Sequence, residues 1–232
     1  MCGRYTLVKS AKEVSERFGV EVGKAYQPRY NAAPTQLMPV ITADAPQGLS
    51  WFHWGLVPAW SKDKAVSHKL INARAETLEE KASFRNALQR RRCLIPADGF
   101  YEWKPLGKKS KVPYRITLLN EELFAFAGLW EEYEDDEGQM VHTFTIITTE
   151  ANKSLESLHS RMPVILRRDS EREWLKPDAS AEELRKLLQP YPASKTRFYT
   201  VSSQVNSPAT DAPSLIQPAP AADQFGNYTL FG

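Results

Sequence analysis

Residues 123–131, LFAFAGLWE, and 140–148, MVHTFTIIT, flank the acidic run EEYEDDEG at 131–138. Both apolar flanks are rich in aromatic and β-branched side chains and shorter than the ten or so residues of an ordinary helix, so both read as strands. The acids between them have nothing apolar to bury. They read as an exposed hairpin loop that turns the first strand back along the second, which makes the pair antiparallel.

Working outward, period-two or β-branched runs predict further strands at QLMPVIT (36–42), SWFHWGLV (50–57), VPYRITLL (112–119) and RFYTVSS (197–203). Helix starts are marked by S/T-x-x-E boxes, in which the first side chain caps a backbone amide and the glutamate reciprocates: Ser10 with Glu13, Thr77 with Glu80, Ser170 with Glu173, and Ser180 with Glu183. Strands with scattered short helices and no regular β-α-β alternation predict an α+β fold. Its core is a curved, mainly antiparallel, barrel-like sheet with short peripheral helices. The 232 residues fit one domain, set at 1–217, and the Pro- and Ala-rich end predicts an extended or disordered tail over 218–232.

Composition excludes several classes. The start lacks the layout of a signal peptide and no apolar run approaches the ~20 residues of a spanning helix, so no membrane partner is expected and the compartment is read as cytoplasmic, or nuclear in a eukaryote. Two cysteines, Cys2 and Cys93, fit neither a disulfide framework nor a zinc site; no metal and no cofactor is expected, and Cys93 reads as a small buried hydrophobe. The net charge is +2, but without the six acids of EEYEDDEG it would stand at +8. The basic clusters RNALQRRRC (85–93), KPLGKKSKV (104–112) and ILRRDSERE (165–173) therefore read either as a surface for phosphates or as solvated faces.

Four stretches carry residue types suited to chemistry. MCGRYTL opens with a cysteine that loss of the initiator methionine would leave with a terminal amine beside its own thiol, a pair that can add to an aldehyde as an imine and close to a thiazolidine. LINARAET (70–77) alternates Asn72, Arg74 and Glu76, as a strand end facing a cleft would, or as a sheet rim with ordinary hydrogen bonds would. Glu102 lies between Tyr101 and Trp103, where desolvation would raise its pKa toward proton-transfer range; it also fits an ordinary strand edge. In LESLHSRMPVIL (155–166), Leu155 and Leu158 predict a helical face, with His159 and Arg161 at its end before Met162 and Pro163. His53, His68 and His142 read as structural. Trp51, Trp54, Trp60 and Trp103 are either core residues or, with Arg4, Arg74 and Arg161, part of a stacking and phosphate-binding groove for single-stranded nucleic acid.

The ordered blocks MCGRY, RYNAAPTQ, WGLVPAW, NARAET, RCLIPADGFYEW, AGLWE, TTEAN, HSRMPVIL and VNSP closely resemble the SRAP family, the SOS-response-associated peptidases that act as abasic-site sensors, from Cys2 to about Pro208. The resemblance implies a single-stranded DNA partner carrying an abasic site and a covalent thiazolidine crosslink through Cys2 after Met1 removal; a monomer is expected. It implies catalytic Cys2, Asn72, Glu102 and His159, with Arg4, Arg74, Trp103 and Arg161 on the DNA. Self-assisted loss of Met1 and a lyase side activity are further implications. A terminal amine suits the reaction: with a pKa near 7.7–8.0, about a quarter is free base at pH 7.4, against roughly 0.1% for a lysine. A Cys–His peptidase, an N-terminal-nucleophile hydrolase and a plain single-strand binder are the competing readings.

Overall fold

A computed structural model describes residues 2–61, 64–107 and 110–229. In chain order its elements are β1 (Tyr5–Leu7), α1 (Ala11–Phe18), β2 (Arg29–Ala32), β3 (Leu37–Thr42), β4 (Ser50–Trp54), β5 (Asn72–Arg74), α2 (Ala82–Arg90), β6 (Arg92–Ala97), β7 (Gly99–Leu106), β8 (Ser110–Leu118), β9 (Phe124–Glu134), β10 (Met140–Glu150), β11 (Arg161–Pro163), β12 (Ile165–Leu166), α3 (Glu171–Leu175), α4 (Ala181–Leu187) and β13 (Thr196–Thr200).

The β9–β10 hairpin is antiparallel, in register from Met140 opposite Glu134 to Ile146 opposite Gly128. Its loop is shorter than the acidic run suggested. β9 continues through Glu134, and Asp135 closes the turn by accepting hydrogen bonds from the amides of Glu137 and Gln139, 2.9 Å each. Glu131, expected in an exposed loop, is only 5% exposed, because Arg91 reaches across to bind its carboxylate.

From β10 the pairing runs through β4, β3, β6 and β9 and returns to β10, so the sheet closes into a five-stranded barrel, antiparallel except for β10–β4. Side chains alternate across it. Met38, Phe52, Trp54, Ile95, Phe126 and Phe144 enter one core, which also takes Tyr5, Phe100 and Ile116 from a second, five-stranded antiparallel sheet ordered β13-β8-β7-β1-β2. On the opposite face, Leu94, Ala125, Ala127 and Leu129 meet Phe84 and Leu88 of α2, Trp174 of α3 and Leu184 of α4. The α+β class, the curved and mainly antiparallel core and the peripheral helices are as expected.

Two capping boxes form, at Ser10–Glu13 and Ser180–Glu183. The other two do not. Ser170 closes the 3-10 turn Arg168–Ser170 and its hydroxyl turns to Asp169; Thr77 ends another 3-10 turn, and α2 starts without a side-chain cap. The helix expected at Leu155–Leu158 is a series of turns. The segment is tied at its base by the Ala151 amide donating to the Ser160 carbonyl, and the Asn152 side chain takes the amides of Ser154 and Leu155, so the loop has no length for a helix.

The basic clusters are not uniform surfaces. Arg92 is 4% exposed and donates to the carbonyls of Leu88, Gln89, Trp174 and Lys176, while Glu171 is buried against Arg17. Lys108 and Lys109 lie outside the described residues, as do Met1 and residues 230–232. Ahead of residue 218, Val205 and Leu215 are buried against Tyr101 and Val201; in the tail, Pro218 bridges Val201 and the Ala219 amide donates to the Thr200 carbonyl, while a bridge between Ala222 and Tyr228 closes a turn within the tail itself. Among the described residues, no helix is long and apolar enough to cross a membrane.

Candidate active site and nucleic-acid interface

The N-terminal segment is held in place by the second sheet. β1 pairs with β7 at Tyr5–Phe100 and Thr6–Gly99, and the Tyr101 amide donates to the Arg4 carbonyl at 3.0 Å. Beneath it lies a buried ion pair, Arg115 to Asp98 at 3.0 Å, and Asp98 also accepts from the Thr6 hydroxyl and the amides of Val8 and Lys9. Position 99 has to be glycine for this crossing: a Cβ there would stand 2.9 Å from both Thr6 Oγ1 and Arg115 Nε.

So anchored, Cys2 is fully buried. Asn72, the first residue of β5, donates from Nδ2 to the Cys2 carbonyl at 3.0 Å. A carbonyl needs a donor, so this contact fixes which way the amide faces. Asn72 Oδ1 is buried and has no hydrogen-bond partner among the described residues. Glu102, on β7, is 5% exposed. Burial pushes the Cys2 thiol well above its usual range and the charge of Glu102 adds to that, so the thiol is held protonated. Cys2, Asn72 and Glu102, 100 residues apart in sequence, therefore converge.

Beyond the barrel rim, the end of β10 carries β5 on one side and β11 on the other, with Thr148 opposite both Arg74 and Pro163. Two residues before the start of β11 sits His159. Its Nδ1 lies 2.9 Å from the Arg161 amide, which can only donate, and 3.2 Å from the Arg161 carbonyl, which can only accept, so the backbone of Arg161 holds the ring on its Nδ1 side. Arg161 forms a two-toothed ion pair with Glu76, 3.0 Å on each arm, and donates to the Thr148 carbonyl at 2.6 Å. Although partial burial pushes the Glu76 carboxyl up, hydrogen bonds from Arg161 and the charges of Arg161 and Arg74 bring it below the usual carboxylate value. Arg74 itself is exposed.

Arg4 and Trp103 form a third group. Adjacent strand residues face opposite sides, and Trp103 accordingly packs with Tyr101 toward the C-terminal segment rather than beside Glu102. Its Nε1 donates to Asn206 Oδ1 at 2.7 Å, and Arg4 donates to Asn31 Oδ1 and to the carbonyls of Val205 and Asn206. Sequence reasoning did not single out Asn31 or Asn206, although both lie in the blocks RYNAAPTQ and VNSP. Among the tryptophans, Trp54 is buried and Trp60 is 65% exposed. No group of three His, Cys, Asp or Glu among the described residues could hold a metal ion.

The profile of the SOS response associated peptidase (SRAP) family matches residues 1–208. This chain belongs to the SRAP family. Among SRAP relatives, abasic site processing protein YoqW of Bacillus subtilis is 47% identical over 222 residues, covering 94% of this chain and 99% of YoqW. Abasic site processing protein HMCES of Gallus gallus is 33% identical, covering 83% of this chain and 67% of its own. A crystal structure of a Bacteroides thetaiotaomicron protein superimposes with a TM-score of 0.86 at 30% identity, over 94% of this chain and all of that one.

Proposed function

We propose that this protein processes abasic sites in single-stranded DNA, and that the mature Cys2 traps the ring-opened sugar aldehyde as a thiazolidine. The observation that carries the reading is the convergence of Asn72 and Glu102 on Cys2, the residue next to Met1. The names of the SRAP relatives support the substrate class.

In the chain as described, the Cys2 nitrogen is an amide, which is not a nucleophile. Removal of Met1 converts it to an amine beside the thiol. The amine adds to the aldehyde, the carbinolamine loses water to give the imine, and the Cys2 sulfur adds to that carbon while its proton passes to the nitrogen. Glu102 moves the proton that ring opening and loss of water require. Asn72 holds the Cys2 carbonyl through Nδ2 and offers Oδ1 as an acceptor for the new amine. His159 acts on the sugar side as an acid or base. Arg74, Arg161 and Arg4 bind phosphates, and Trp103, on the β7 face opposite Glu102, contacts the DNA strand outside the pocket that holds Cys2. Self-assisted loss of Met1 and β-elimination from the imine stage belong to the same reading.

A Cys–His thiol hydrolase is less well supported. It needs a thiolate, and both burial and the Glu102 charge drive the Cys2 thiol toward its protonated form. The test is a denaturing gel of the protein mixed with an oligonucleotide carrying one abasic site. A protein–DNA band that survives denaturation is expected; its absence with processed protein would leave a plain binder or a hydrolase.

A further inference from the structure

We propose that Glu76 is an intramolecular stand-in for a backbone phosphate: its carboxylate occupies the binding fork of Arg161 until single-stranded DNA displaces it. The inference rests on the reading of Arg161 as a phosphate contact and goes beyond it by naming the group that competes for that contact.

The geometry is that of anion recognition. Arg161 meets both carboxylate oxygens of Glu76 at 3.0 Å, the paired arrangement in which a guanidinium also takes two oxygens of a phosphate. The remaining donors do not offer an equivalent fork. Nη2 is also engaged by the Thr148 carbonyl at 2.6 Å, and Nε is buried. A phosphate that binds Arg161 through two oxygens must therefore take the position of Glu76.

The two partners are unequally fixed. The Arg161 side chain is 13% exposed and is held to β10 by Thr148, whereas Glu76 is 47% exposed on the short 3-10 turn Ala75–Thr77 that follows β5. Displacing the carboxylate swings an exposed side chain into water and leaves Arg161 where it was. Arg74 lies close enough for its charge to lower the Glu76 carboxyl, so one acid sits in the field of two of the expected phosphate contacts. Any DNA that binds here must compete with that charge, which lowers affinity for strands that make few other contacts.

The test uses fluorescence anisotropy of the full chain with an intact single-stranded oligonucleotide and, separately, the covalent adduct with an abasic one. Glu76→Gln should tighten binding of intact strand by about three- to fivefold, the equivalent of an exposed ion pair. The slope of log K against log salt should steepen by about 0.7, one phosphate on a single strand. Glu79→Gln is the control: Glu79 is on the same stretch, similarly exposed, but pairs with Arg185 at 3.2 Å.

Equal gains from both substitutions would reduce the effect to general charge and overturn the proposal. Weaker binding by Glu76→Gln would mean that Glu76 positions Arg161, and would also overturn it; Glu76→Ala, which cannot hydrogen-bond to Arg161, must agree in sign. A wild-type chain that does not bind intact strand refutes both this inference and the reading of Arg161 as a phosphate contact. A wild-type chain that binds but forms no adduct refutes only the proposed chemistry.

Discussion

Truncating Asn72 should separate stability from chemistry. The Asn72→Ala change removes the 3.0 Å hydrogen bond to the Cys2 carbonyl, worth ~1 kcal/mol net. It also leaves that carbonyl short of a donor, a penalty of ~1–3 kcal/mol. Against this, it removes Oδ1, which in the wild type is already buried with no partner among the described residues and carries a penalty of the same size. The two penalties offset, so the net loss should be about 1 kcal/mol, or about 2–4 °C in Tm for a chain of this length. Asn72→Asp is closer in shape but should be worse. It loses the donor and sets a carboxylate against the Cys2 carbonyl near Glu102, an uncompensated charge costing ~3–5 kcal/mol. Urea denaturation should thus rank wild type above Ala above Asp, while both variants lose about a hundredfold in adduct rate at saturating DNA, the scale of a misplaced reactant. An alanine variant that loses more than about 3 kcal/mol would make Asn72 a structural residue. One that retains the wild-type adduct rate would remove it from the reaction.

Other substitutions probe other parts of the site. Cys2→Ala should abolish the adduct and leave affinity for intact single strands within about twofold, because a buried small side chain replaces another; parallel loss of both, read on the same gel and anisotropy assays, would make Cys2 a packing residue. Arg74→Ala should weaken binding and flatten the salt slope by about 0.7, and an unchanged slope would take the exposed Arg74 off the DNA. Asp98→Asn should cost ~3–5 kcal/mol in urea unfolding, since it strands the buried Arg115 charge and loosens the amides of Val8 and Lys9. A loss below about 1 kcal/mol would mean that the clamp does not anchor the N-terminal segment.

Much of the barrel was legible because β3, β4, β9 and β10 advertise themselves through alternating aromatic and β-branched side chains. β6 and β7 were harder to read. RCLIPA is a continuous apolar run containing a proline, and GFYEWKPL starts on a glycine and runs into another proline, so local pattern does not mark them as partners. β5, β11 and β12 have two or three residues each and are strands only because β9 and β10 supply their hydrogen bonds. That is a tertiary effect with no local signal. At the site, alternation put Asn72, Arg74 and Glu76 on one strand end; Asn72 and Arg74 are on β5, whereas Glu76 falls on the 3-10 turn that follows it. The same rule, applied to Glu102 and Trp103, would have sent the tryptophan to the opposite face. Neither the claim of Glu76 on Arg161 nor that of the 205–206 carbonyls on Arg4 could be read from sequence, because each joins segments far apart along the chain.

The central claim is that a terminal amine and its neighbouring sulfur, both from Cys2, make the bond to DNA. Mass spectrometry of the digested adduct with an abasic oligonucleotide tests it most directly. The account predicts the sugar remnant on the N-terminal peptide, with that peptide beginning at Cys2. Attachment at a lysine, or a crosslinked chain that still carries Met1, would contradict it.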